Sequence, residues 1–341
     1  IGTDALQTED THGKNIAIGH AALELLNAGA DAYNVAVGFN SGKTISTGIR
    51  NVLIGGLAGD ALTTGSSNIA IGHQALSTED AHGLNIAIGH NALASQNVGA
   101  DAYNVAIGHF AGEDITTGVR NVIIGGLAGD ALTSGAYNTA LGHGALSSED
   151  AHGKNVAVGY QALVAQDAGA DAYNVAVGFE AGHDVTTGDQ NTLIGGAAGD
   201  ALTEGDNNVA VGAFALSAET LGDRNVAVGR GALQNQNNTS DTDVYNIAVG
   251  YNAGANVTTG TDNTIVGGLA GDALTTGALN VAIGKAALSA EDTGSANVAV
   301  GHAALMSQNY NGSAYNTAVG HNAGTALISG IQNTLIGGLA G

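Results

Sequence analysis

The chain has 341 residues, with 30 Asp and Glu against eight Lys and Arg, a formal net charge of −22, 55 Gly, no Pro and no Cys. That charge opposes nucleic acid or an anionic membrane as partner, and without Cys there are no disulfides, thiolate metal sites or thiol chemistry. Aromatics make up 4% and Trp is absent, which excludes a thick core of large side chains and leaves Ala, Val, Ile and Leu to pack in thin layers.

In chain order, the first predicted element is Asn15-Ile16-Ala17-Ile18-Gly19. It returns at Asn34, Asn51, Asn68, Asn85 and onward to Asn333, 19 copies in all, most of them at the interval that separates Asn34 from Asn51 and Asn51 from Asn68. Such a period means one small unit per repeat, stacked into a solenoid. The second position is always Val, Ile or Thr, as a β-strand prefers. The third is Ala in 14 copies and Leu or Ile in five, the fourth is aliphatic, and the fifth is always Gly. Zero Pro suits strands whose every N–H joins a ladder, and a recurring Gly suggests a turn with φ > 0 or a close backbone approach.

Three residues on comes Ala in 18 of 19 copies, followed by Leu or Gly. This segment reads as a second strand, and a polar return such as Ser77-Thr78-Glu79-Asp80-Ala81-His82-Gly83 closes the coil. The Leu/Gly choice runs Leu23, Gly42, Gly59, Leu76 and then begins again at Leu93, giving a superunit of four coils. The expected fold is therefore all-β, a parallel β-roll or β-solenoid of 19 coils. The whole of 1–341 reads as a single repetitive segment cut within a repeat at both ends: Ile1-Gly2 aligns with Ile71-Gly72, and Leu339-Ala340-Gly341 with Leu57-Ala58-Gly59. One such column would leave a flank of Ala and Gly in water. Sister chains in a cyclic homotrimer would cover it.

Repeats of the form Asn68-Ile69-Ala70-Ile71-Gly72-His73-Gln74-Ala75 resemble those of trimeric autotransporter adhesin heads. Asn316-Thr317-Ala318-Val319-Gly320-His321-Asn322-Ala323-Gly324 is equally similar to the repeat arrays of bacteriophage tail fibres. The resemblance covers the whole chain and implies a left-handed parallel β-roll, three chains about one axis, on a cell or virion surface. It departs from the adhesin heads in its longer coil and its four-coil superperiod. The expected job is a structural and adhesive segment of an extracellular filament, with a cell-surface receptor or glycan as partner and no enzymatic activity.

The longer return loops fall at one place in each superunit, and loops in register on a solenoid protrude from one face. Gln234, Asn235, Gln236, Asn237, Asn238, Tyr310 and Asn311 are the receptor-contact candidates. Asp60, Asp130, Asp200 and Asp272 are weak candidates for Ca²⁺, together with Glu79-Asp80, Glu149-Asp150, Asp31, Asp101 and Asp171; no EF-hand or nonapeptide calcium motif accompanies them, so solvated turn carboxylates are the expectation. Seven of the 11 His follow the repeat Gly, where Phe, Tyr, Arg, Lys and Gly also stand, so these read as turn side chains. His12, His82 and His152 recur once per superunit in acidic turns and are read the same way. A depolymerase-type tail spike needs two carboxylates in unequal environments, and nearly every acid here has a near-copy one superunit away. An ice-binding array needs Thr in every coil, whereas pairs such as Thr63-Thr64 and Thr116-Thr117 skip coils and precede a turn Gly.

Overall fold

The computed structural model describes residues 1–9 and 12–341. It is an all-β parallel β-solenoid of about 19 turns, one for each Asn-to-Gly repeat, with no helix among the described residues. The chain divides into two compact units, Ile1–Tyr173 and Asn174–Gly341.

In the first unit nine three-residue strands run from Ile16–Ile18 to Val156–Val158. Each pairs in parallel with the next and in strict register, as Ile16 with Val35, Ala17 with Ala36 and Ile18 with Val37. In the second unit ten strands, from Val175–Val177 to Thr334–Ile336, stack in the same way. The second unit also holds a short parallel pair, Gly222–Asp223 with Thr242–Asp243.

The expected second strand is not formed. After the repeat Gly the chain turns, and residues on either side of the recurrent Ala take positive φ: Gln74 has φ 55° and Leu76 has φ 53°. A left-handed residue cannot continue an extended strand, so each coil carries one three-residue strand followed by a series of corners, with only the short Gly222–Asp223 and Thr242–Asp243 pair added in the second unit. The residue before each Asn is left-handed too, among them Tyr33, Arg50 and Tyr103.

The expectation of an exposed Ala flank is also corrected. Side chains alternate along a strand, so Asn and the third-position Ala share the inward face. Ala36, Ala70, Ala106 and Ala140 are fully buried by their own chain. The outward face carries the second and fourth residues, which are partly exposed along the stack and most open in its first strand, where Ile16 is 51% and Ile18 42% accessible. The apolar surface left to water is a row of β-branched residues, not of Ala and Gly.

Two ladders explain the invariant residues. From Asn34 to Asn316 the Asn side chain lies buried and forms a ladder that accepts from the backbone N–H of the Asn one coil on, as Asn51 N donates to Asn34 Oδ1 at 2.8 Å and Asn68 N to Asn51 Oδ1 at 2.9 Å. In most coils its amide donates across its own coil, as Asn34 Nδ2 to the Gly48 carbonyl at 2.8 Å, while Asn225 and Asn297 donate instead to Oδ1 of the Asn one coil before. An apolar residue there would orphan both a backbone donor and a carbonyl. The repeat Gly is required by close approach: at Gly72, with φ 138°, a Cβ would lie 2.2 Å from the carbonyl oxygen of Gly89.

The four-coil superunit is a volume exchange inside the tube. Where the third position is large, as Leu53, the corner residues beside it are Gly42 and Gly59, and a Cβ on Gly42 would meet Leu53 Cδ1 at 2.6 Å. These two coils place Ile45 and Leu62 in the core from the opposite wall. In the neighbouring coils Leu76 and Leu93 fill the corner, and the opposite wall carries Glu79 and Gln96, both fully buried. Close packing makes each of these choices depend on the others.

Candidate functional site

The buried Glu–Gln pair was not foreseen. Glu79, Glu149, Glu219 and Glu291 recur once per superunit, and Gln96, Gln166, Gln236 and Gln308 follow them one coil later; that double spacing was the available signal. Their carboxylates organise the return turn. Glu219 accepts from the backbone N–H groups of Thr220, Leu221, Gly222 and Asn238 and from Gln236 Nε2 at 2.8 Å. Glu79 accepts from His82 N at 3.2 Å and from Gln96 Nε2 at 3.2 Å. Gln96 Oε1 in turn accepts from Asn104 Nδ2 at 2.8 Å, tying the turn to the Asn ladder. Burial pushes the Glu149 and Glu291 carboxyls above the usual carboxylate range, against the pull of their backbone donors.

This pairing corrects two contact candidates. Gln236 and Asn238 are turned inward on Glu219, so they hold the turn and leave no side chain for a receptor. Asn235, Asn237 and Asn311 are exposed, and Gln234 and Tyr310 are half-buried. Asn235 donates to Asn256 Oδ1 at 3.0 Å, while Thr220 and Thr293 donate to Asn237 and Asn311 at 3.0 and 2.9 Å. These exposed amides are therefore pre-positioned by neighbouring coils.

The same edge carries aromatic rings beside cations. Tyr33, Tyr103, Tyr137, Tyr173, Tyr245 and Tyr315 are about half exposed. Lys14 Nζ sits 5.2 Å from the Tyr33 ring centre, Lys154 Nζ 5.0 Å from that of Tyr173, and Arg120 lies over both Tyr103 and Tyr137 at 6.0 and 5.5 Å. Lys154 also donates to Asp171, which lowers the Asp171 carboxyl and raises the lysine. On another corner the imidazoles stack: His73 on His90 at 5.4 Å, His90 on His109 at 5.2 Å, and His302 on His321 at 5.2 Å. The position after the repeat Gly is thus a stacking position, which accounts for the Phe and Tyr found there.

The calcium candidates Asp60, Asp130, Asp200 and Asp272 stand one to a superunit and form no cluster with one another. Burial raises each carboxyl, and Oδ1 of each is buried without a hydrogen-bond partner. Among the described residues, His and carboxylate ligand atoms converge in threes at Glu79, Asp80 and His82, and again at Glu149, Asp150 and His152. The Thr hydroxyls are committed to the frame: Thr63 and Thr133 donate to the carbonyls of Asp80 and Asp150 at 2.8 and 2.9 Å. No family model matches this chain, and no curated protein matches it. No helix among the described residues is long and apolar enough to cross a membrane.

Proposed function

We propose that this chain is a structural and adhesive segment of an extracellular trimeric fibre, of the kind found in surface adhesins and phage tail fibres. The observation that carries the reading is the division of labour around each coil. One face is a largely β-branched row left partly exposed, and the return loops present fixed amides and tyrosines. The apolar row suits burial against sister chains about a common axis. The loops suit a glycan or protein receptor on a cell surface, where three copies of each weak contact sum to avidity. The Asn and Gly ladders supply stiffness, and the protein performs no bond-breaking chemistry in this role.

Sedimentation equilibrium tests the assembly. The expected mass is three times the 33.3 kDa of the chain, and a monomer at micromolar concentration refutes the fibre reading. Binding to immobilised host glycans should fall when Asn235, Asn237, Asn311 and Tyr315 are changed together to Ala. Release of reducing sugar from those glycans would instead make the protein a depolymerase.

A further inference from the structure

The return turns of the first unit carry a histidine that their scaffold does not need. In the second unit the equivalent turns place Gly222 and Gly294 where His82 and His152 stand, and their N–H groups donate to Oε1 of Glu219 and Glu291 at 2.8 Å. The N–H groups of His82 and His152 make the same bond to Glu79 and Glu149 at 3.2 and 3.1 Å. That backbone bond is therefore made without an imidazole.

The imidazoles are nonetheless aimed inward. Nδ1 of His82 and of His152 is buried, lacks a hydrogen-bond partner, and lies 3.7 Å from Oε1 of the neighbouring Glu. The Glu149 side chain is fully buried, and its Oε2 makes no close hydrogen bond, feeling only the weak pull of the Ala168 N–H. Buried polar atoms without partners are costly. Here they converge with an exposed Asp carboxylate, and the three ligand atoms of each turn lie within 4.8 Å of one another. One imidazole nitrogen and two carboxylate oxygens, open to water on one side, form the donor set of a borderline divalent ion with one coordination place left for solvent.

We propose that Glu79, Asp80 and His82, and separately Glu149, Asp150 and His152, each bind one divalent transition-metal ion of the Zn²⁺ class. The ion draws the three ligands together and staples the return turn, whose Asp80 carbonyl already accepts from Thr63 one coil before. The turns of the second unit lack the imidazole and do not bind it.

Zn²⁺ titrated calorimetrically into the EDTA-stripped full chain tests this. The stripped protein should take up at least two equivalents with micromolar or tighter affinity, and its melting temperature should rise with added Zn²⁺. The double substitution His82→Ala and His152→Ala should remove two equivalents and leave the metal-free melting temperature unchanged, because the buried Nδ1 of each imidazole makes no hydrogen bond in the metal-free turn. As a second readout, Co²⁺ should give visible d–d absorption of a four-coordinate nitrogen–oxygen site in the original protein and lose it in the variant. Uptake that is absent, or identical in the double variant, overturns the proposal; the latter result assigns the metal to the stacked histidines after the repeat glycines.

Discussion

The two units share a frame and differ in how they close one turn. In Ile1–Tyr173 the turn after the buried Glu is held from the next coil by a side chain: Gly83 N donates to Asp101 Oδ1 and Gly153 N to Asp171 Oδ1, both at 3.1 Å. In Asn174–Gly341 backbone pairing does that work, through Gly222–Asp223 with Thr242–Asp243 and a bridge from Ser295 to Ser313. The Arg224–Asp243 ion pair adds to it. Where the backbone closes the turn, the imidazole is gone. The ladders and the buried Glu set the coil, and the residues at its rim are free to take on chemistry.

Attacking the shared frame should affect both units alike and most severely. Gly72→Val in the first unit and Gly212→Val in the second each force a Cβ into the carbonyl group of the next repeat Gly. Each should cost on the order of 3 kcal/mol or more in urea unfolding, from strain and overpacking together. Unequal losses between the two sites would mean that the frame is not shared.

The buried Glu should separate the units. Glu219→Ala strands four backbone N–H groups and Gln236, and a loss of about 3 kcal/mol is expected. At Glu149 the carboxylate is held by His152 N, with the Ala168 N–H pulling on it more weakly, so Glu149→Ala should cost about 1–2 kcal/mol. Denaturant midpoints of the two variants measure the contrast directly.

The pH response follows from the same burial. The folded state raises the Glu291 carboxyl above its ordinary value of 4.5, so it favours the protonated form. Its stabilising contribution is complete below that value and is lost as pH rises through the raised one. The Asp200, Asp206, Asp223 and Asp272 carboxyls are raised by burial in the same unit and add with the same sign. Thermal melting should therefore be higher at mildly acidic pH than at pH 8. Glu291→Gln should reduce that difference by about 2–4 °C. The smallest effect belongs to the rim: Arg120→Ala removes an exposed ring–cation contact and should cost about 0.5 kcal/mol.

Much of this was legible in the residues. Asn, the β-branched residue and Gly stand at fixed positions in every copy because each serves a backbone ladder, and ladder chemistry leaves no alternative. The corners were misread because Ala75-Leu76 is apolar like a strand, and hydrophobic pattern carries no information about the sign of φ. The dry side was placed wrongly for a simpler reason. Asn68 and Ala70 must share a face by strand alternation, so the Ala row belongs inside with the Asn. Glu79 and Gln236 escaped because charged and amide residues in a polar return are usually solvated, and only their companionship one coil apart betrays the burial.

The interlock of Leu53 with Gly42 and Gly59 fixes the smallest piece by which such an array can grow or shrink. Removing a single turn would set a bulky side chain against another, or leave a hole beside a glycine, whereas excising four turns restores every neighbour. Gain or loss of tandem copies in whole blocks of four should therefore keep the interior packed. Such a block can be added or lost without redesigning the interior.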